Sequence, residues 1–291
     1  MLGATVAGES TWSLAAAIAD ATARPASSRG VRPLGAYPLC SVTGMSDQQS
    51  PRPLLPQFDE SWSRALCVAA HPDDLEYGVA AAVDRWVQQG KTVTYLLATH
   101  GEAGIEGVPP SEAAPLRAQE ERDGAAEVGV EVVEFLDYDD GMVEYGLPLR
   151  RDIARAIRIH KPEVVITLTH RERFAGGGTN QADHRAVGLA ALDASKDAGN
   201  QWIHPDLVGE GYEPWSGVRR VGMSGALEAT HAVDVTGHLD AAVASLEAHQ
   251  VYLEALGKDY PSPPDLLAMI LGGGGKALGV KHAVTFEVFD I

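Results

Sequence analysis

Two short segments carry residue types that can do chemistry together. The first is His71-Pro72-Asp73-Asp74. A catalytic zinc takes three protein ligands from imidazole and carboxylate and leaves one position open for water. His71 and Asp74, three apart across a tight turn, can reach one ion. Asp73 then diverges from its neighbour and can face the water, as the carboxylate base that takes its proton. The second segment is Asn180-Gln181-Ala182-Asp183-His184, where His184 is the natural third ligand. Asp183 beside it can orient a neighbouring imidazole. A plainer reading stands next to this one, because aspartates in such positions also serve as turn residues and helix N-caps.

What must position these residues is an alternation of strands and helices. Ala65–Ala70 is an apolar run suited to a strand buried on both faces. Glu76–Gln89 has helical spacing and stops at Gly90, Thr92–Thr99 is a second strand, and Ser111–Val128 a helix. Val130–Leu136, Leu149–His160, Val164–Leu168 and Asp183–Ser195 continue the series as strand, helix, strand and helix. This predicts an α/β fold, Rossmann-like, with a mainly parallel sheet and helices on both faces. In such sheets ligands bind beyond the carboxyl ends of the strands, and both segments fall there. Later, Val218–Met223, His231–Val235 and Ala283–Phe289 read as strands and Leu239–Leu256 as one helix. Gly272–Gly275 reads as a flexible turn, since it lacks the Gly-Lys-Ser/Thr ending of a phosphate loop. Phe174–Thr179 (FAGGGT) is a candidate mobile lid.

Composition narrows the class. The 291 residues carry a formal charge of −17, which argues against nucleic-acid and anionic-membrane partners. Two cysteines, Cys40 and Cys67, exclude a disulfide framework and a four-thiolate zinc site, and a reducing cytoplasm is the simplest location. No run approaches the roughly 20 apolar residues that cross a bilayer. Residues 1–60, rich in Ala, Gly, Ser and Pro, read as a disordered leader, with Met45 as a natural start and residues 61–291 as the working domain. Oligomeric state, including a homo-oligomer, stays open. A nucleotide-binding oxidoreductase is disfavoured, because His71-Pro72-Asp73-Asp74 occupies the turn where G-x-G-x-x-G would stand.

Several motifs, in order, resemble a known family. AHPDDLEYG at 70–78 resembles the AHPDD-E signature of the PIG-L (LmbE-like) deacetylases, and NQADHRAVG at 180–188 resembles their H-x-D-H motif. THGEAG at 99–104 is similar to the T-x-G-E-x-G loop, LRAQEERDGAAEVGV at 116–130 to the Arg-x-x-Glu helix, and residues 231–250 to a C-terminal stretch. The resemblance implies zinc-dependent hydrolysis of an N-acyl group on a small, amino-sugar-containing substrate. Zn2+ or another divalent ion would be held by His71, Asp74 and His184, with Asp73 as general base. Arg117, Asp183 and His231 would bind substrate. Gln181 stands where the family has the first His of H-x-D-H. Glutamine can donate a hydrogen bond to an oxyanion but cannot give up a proton at neutral pH. Leaving-group protonation then falls to Asp73 in a second role or to His100, His170, His231 or His249, of which His249 is taken with the catalytic residues. The same Gln181 raises an alternative, a metal- or sugar-binding homologue with weak or no activity.

Overall fold

A computed structural model of the chain describes residues 53–291. The elements run β1 (Arg64–Ala69), α1 (Asp74–Gly78), α2 (Ala80–Gln88), β2 (Thr92–Leu97), α3 (Pro110–Glu127), β3 (Val132–Phe135), α4 (Leu147–His160), β4 (Val164–Leu168), α5 (Ala182–Asp197), α6 (Pro205–Gly209), β5 (Arg220–Ser224), β6 (His231–Asp234), α7 (Leu239–Glu247), α8 (Gln250–Leu256), α9 (Pro263–Leu278) and β7 (Ala283–Asp290). They form a sheet of order β3-β2-β1-β4-β5-β7-β6. The first five strands are parallel, and β7 runs antiparallel to both β5 and β6.

Period-2 alternation builds a core on each face. Ala65, Cys67 and Ala69 of β1 point into one core with α2, α3, α7 and α9. Leu66, Val68 and Ala70 point into the other with α4 and α5. The chain winds outward from β1 through β2 to β3, then returns to place β4 on the other side of β1. That reversal is the topological switch point, where the strand ends splay and leave a crevice. The two segments with chemical residues leave the sheet there, one after β1 and one after β4.

Four expectations need correction. Residues 53–60, read as leader, belong to the fold: Phe58 is buried in the core and donates its backbone N–H to the carbonyl of Ala232 in β6, whose own N–H donates to the carbonyl of Pro56. The leader before residue 53, and the start at Met45, lie outside the described residues. The expected helix 76–89 is two helices, α1 and α2, parted at Val79, whose φ of −141° breaks the helical path. The helix expected over 239–256 breaks at His249 for a different reason: that imidazole turns inward and is fully buried. Gly272–Gly275 lies inside helix α9, not in a turn. A Cβ on Gly274 would stand 2.1 Å from the carbonyl oxygen of Ala283, and one on Gly275 2.4 Å from that of Lys281. These glycines let α9 lie directly against the chain entering β7, a use that propensity does not signal.

Candidate active site

The turn after β1 is tied down by its own side chain. Asp74 Oδ2 accepts hydrogen bonds from the backbone amides of Ala70 (3.1 Å) and His71 (2.9 Å). Asp73, between them in function, has φ 97° and ψ −22°, a left-handed conformation that costs a non-glycine residue roughly 1–3 kcal/mol. The structure holds it there, and its neighbours His71 and Asp74 thereby face one direction.

His184 comes in from the first turn of α5. Its Nε2 lies 3.0 Å from Asp74 Oδ1 and 3.2 Å from His71 Nδ1. The donor atoms of His71, Asp74 and His184 all fall within 4.8 Å of one another, and all three residues are buried. The imidazole tautomers follow from what lies behind each ring. His184 Nδ1 donates to Asn180 Oδ1 at 3.0 Å. The Asn180 amide is itself fixed, because its nitrogen donates to the carbonyls of Thr169 (2.7 Å) and Arg171 (2.9 Å). His71 Nε2 faces Asp140 Oδ1 at 3.0 Å and Asp183 Oδ2 at 3.3 Å. Each ring therefore donates away from the cluster and turns its other nitrogen, the position for a cation or in its place a proton, toward Asp74. Two imidazole nitrogens and one carboxylate, oriented from behind, suit a divalent cation.

Asp140 and Asp183 could form a second set around His71, but their oxygens are engaged. Asp183 accepts from the amides of Gly141 (2.7 Å) and Val143 (3.3 Å), and Asp140 from that of Ala103 (2.8 Å). They orient His71.

The electrostatics agree with this division. Burial opposes ionisation of Asp74, but the His184 and His71 imidazoles outweigh it and hold the group at about 2. Burial would lower His71, yet the carboxylates of Asp140 and Asp183 outweigh that and raise it well above its usual range. Burial raises Asp73, an effect that Arg117 only partly offsets. Arg117 Nη2 lies 3.2 Å from Asp73 Oδ1, while Asp73 Oδ2 has no hydrogen-bond partner among the described residues.

The remaining expected residues separate. Arg117, expected to bind substrate, is 2% exposed and also donates to the carbonyl of Pro72. Its guanidinium stacks on Tyr252 at 3.7 Å, and Gly101 and Gly104 leave room for it, since a Cβ on Gly104 would meet Nη1 at 2.3 Å. Asp183, expected at the substrate, faces His71 and two amides instead. Gln181 sits half-buried at the N-cap position of α5. His249, expected as an acid, is buried behind the site with its Nε2 3.8 Å from Glu76 Oε2 and 3.8 Å from Glu121 Oε2. His231 opens β6 four strands from β1, with its Nδ1 2.9 Å from Thr230 Oγ1. At about 4.8 Å per strand that is roughly 19 Å away, so the structure does not bring it to the cluster. The segment 174–179, expected as a lid, is a hydrogen-bonded hairpin pinned to Gly225, and Phe174 packs its ring 5.8 Å from that of His184.

Sequence reasoning gave no role to Asn180 or Asp140. Asn180 was findable, since it precedes His184 by four residues and such pairs face each other across one helical turn. Asp140 carries only a weak signal, its place with Asp137 and Asp139 just after the third strand, and only the folded loop after β3 brings it to His71.

Comparisons with known proteins agree with this geometry. The PIG-L family model, described as GlcNAc-PI de-N-acetylase, matches residues 66–195, which contain all three candidate ligands. A 1D-myo-inositol 2-acetamido-2-deoxy-alpha-D-glucopyranoside deacetylase of Kineococcus radiotolerans is 30% identical over 252 residues, covering 64% of this chain and 68% of the relative. Diacetylchitobiose deacetylase of Thermococcus kodakarensis is 27% identical over 190 residues, 64% of this chain and 69% of the relative. The solved structure of N,N'-diacetylchitobiose deacetylase from Pyrococcus horikoshii superposes with a TM-score of 0.71 at 22% identity, over 79% of this chain and 85% of that one, and so shares the fold. Among the described residues no helix is long and apolar enough to cross a membrane. The chain belongs to the PIG-L family of N-deacetylases.

Proposed function

We propose that this protein is a zinc-dependent N-deacetylase that removes the acetyl group from the 2-acetamido position of a small amino-sugar substrate. The observation that carries the reading is the convergence of His71, Asp74 and His184, with both imidazoles oriented from behind, at the switch point of the sheet. The relatives named above act on a diacetylchitobiose and on an acetamido-deoxy-glucopyranoside of inositol, two compounds that share an acetamido sugar.

His71, Asp74 and His184 would hold the cation. When bound, it supplies a lowered pKa for water in its open position and polarisation of the amide carbonyl. Asp73 supplies the base: Oδ1 is held by Arg117, and Oδ2 is the atom that accepts the water proton. The hydroxide oxygen adds to the amide carbon, and the C–N bond then breaks. Asp73 passes the same proton to the departing nitrogen, so that the products are acetic acid and the amine, which separate as acetate and an ammonium once the acid proton moves to the nitrogen. This second use of Asp73 follows from Gln181, which has no proton to give, and from the position of His249, sealed behind Glu121. Gln181, at the N-terminus of α5, donates a hydrogen bond from its side-chain amide to the developing oxyanion.

Release of a free amine from N-acetylated amino sugars, abolished by a chelator and restored by zinc, tests the activity. Asp73→Asn should retain zinc and lose about 10²–10⁴-fold in turnover, the usual weight of a general base. Wild-type turnover in Asp73→Asn would reject the base. Gln181 favours one second reading, a metal- and sugar-binding homologue without turnover; absence of amine release from a zinc-loaded protein that still binds acetamido sugars would establish it.

A further inference from the structure

Asp73 occupies a backbone conformation that a non-glycine residue avoids, so something outside the turn must hold it. Helix α3 presents two residues to it, four apart and therefore on one face. Arg117 reaches the Asp73 carboxylate and the carbonyl of Pro72. Glu121 reaches the other side of the same residue: its Oε2 accepts the Asp73 backbone N–H at 3.1 Å. The helix is itself braced from behind. Glu120 Oε1 accepts the amide of Val251 at 2.6 Å, and the Arg117 guanidinium lies on the ring of Tyr252, both at the start of α8. Glu121 is fully buried and has no surface open to solvent.

We infer that Glu121 is a positioning residue for the proposed base: α3 clamps Asp73 by its carboxylate through Arg117 and by its backbone amide through Glu121, and so fixes where Oδ2 points. A free Asp73 would relax toward ordinary right-handed or extended backbone, because the left-handed form is unfavourable by itself. That relaxation would swing its carboxylate away from the water that it must deprotonate. Glu121 thus acts on the rate of proton removal, through geometry, without contacting substrate or metal. The inference rests on Asp73 being the base.

The test uses the full-length, zinc-loaded protein with Glu121→Leu, Glu121→Gln and Asp73→Asn, each assayed for zinc content, kcat and KM on an N-acetylated amino sugar. Glu121→Leu removes the acceptor and should lower kcat about 100-fold, the scale of a misplaced catalytic group, with KM and zinc content unchanged. Glu121→Gln keeps an oxygen that accepts the Asp73 amide and should retain most of kcat. Wild-type kcat in Glu121→Leu, with Asp73→Asn inactive, overturns the clamp and leaves the base intact. Wild-type kcat in Asp73→Asn overturns the base itself. Should Glu121→Leu not fold, Glu121→Gln decides alone: a folded, zinc-replete Gln variant with kcat down about 100-fold would show that charge, not the acceptor, matters and would overturn the inference.

Discussion

Among the described residues, two fully buried triads offer imidazole and carboxylate atoms within 4.8 Å of one another, and they are built differently. In His71, Asp74 and His184 every group is held from outside: Asn180 on one ring, Asp140 and Asp183 on the other, backbone amides on the carboxylate. In Glu76, Glu121 and His249 the holding is partial: Glu76 Oε1 accepts from Ser245 Oγ and Glu121 Oε2 from the Asp73 amide, and nothing orients the imidazole. Both His249 nitrogens, Glu76 Oε2 and Glu121 Oε1 have no hydrogen-bond partner among the described residues. Their titration differs as well. Burial pushes Glu76 up to about 8 and Glu121 well above its usual range, and it lowers His249. Burial therefore disfavours charge on each member of that triad. The first triad stands at the strand ends beside the crevice, whereas the second lies between helices with no exposed surface on Glu121 or His249. Ligand type and proximity are shared. Orientation from behind and a route to solvent separate a cation site from a buried polar support.

The comparison breaks most visibly in metal content. His184→Ala removes a ligand from the first triad and should leave the purified protein without stoichiometric zinc and without amine release, as elemental analysis and turnover would show. His249→Ala removes the imidazole of the second triad and should leave zinc content as in the wild type. It should lower thermal stability, because a fully buried side chain is deleted. If His249→Ala loses zinc and His184→Ala keeps it, the two triads have been assigned the wrong way round.

A smaller effect sharpens what orientation contributes. Asn180→Ala leaves all three ligands in place but frees the His184 ring and its tautomer. Loss of such a partner weakens metal binding by about 10–100-fold. A zinc competition titration should show that weakening, with the wild-type content restored at saturating zinc. An unchanged affinity would mean that packing against Phe174 alone aligns the ring.

The two triads were also unequally legible in the sequence. His71, Asp74 and His184 announce themselves because they follow apolar runs that can only be strands, and parallel α/β sheets bring strand ends together. The β1–β4 half was readable for the same reason. Strands β1, β2 and β4 are apolar runs buried on both faces, so Val164–Leu168 matches to the residue. Glu76, Glu121 and His249 lie within helical segments or between them, where a buried acid looks like a surface one. Sequence reads His249 as a proton donor because it cannot tell an imidazole facing a crevice from one facing a core. Helix α9 hid behind four glycines, of which Gly274 and Gly275 serve a close approach to the chain entering β7 that exists only in the folded state.

The smallest effect concerns protons in the second triad. Burial raises Glu76 from 4.5 to about 8, so the folded protein holds this proton more tightly than the unfolded chain does. The stabilisation that this contributes is full below the unfolded pKa and is lost as pH rises through the folded one, which places the loss between about 4.5 and 8. Glu76→Gln carries no titrating proton and escapes it. The difference in Tm, Glu76→Gln minus wild type, should therefore grow as pH is raised across that window, by an amount set by a few kcal/mol at most. A cation shared by Glu76, Glu121 and His249 would reverse the sign, because it would need Glu76 ionised and would stabilise the wild type increasingly as pH rose. A Tm difference that shrinks toward pH 8 would thus make the two triads alike, and one that grows would keep them apart.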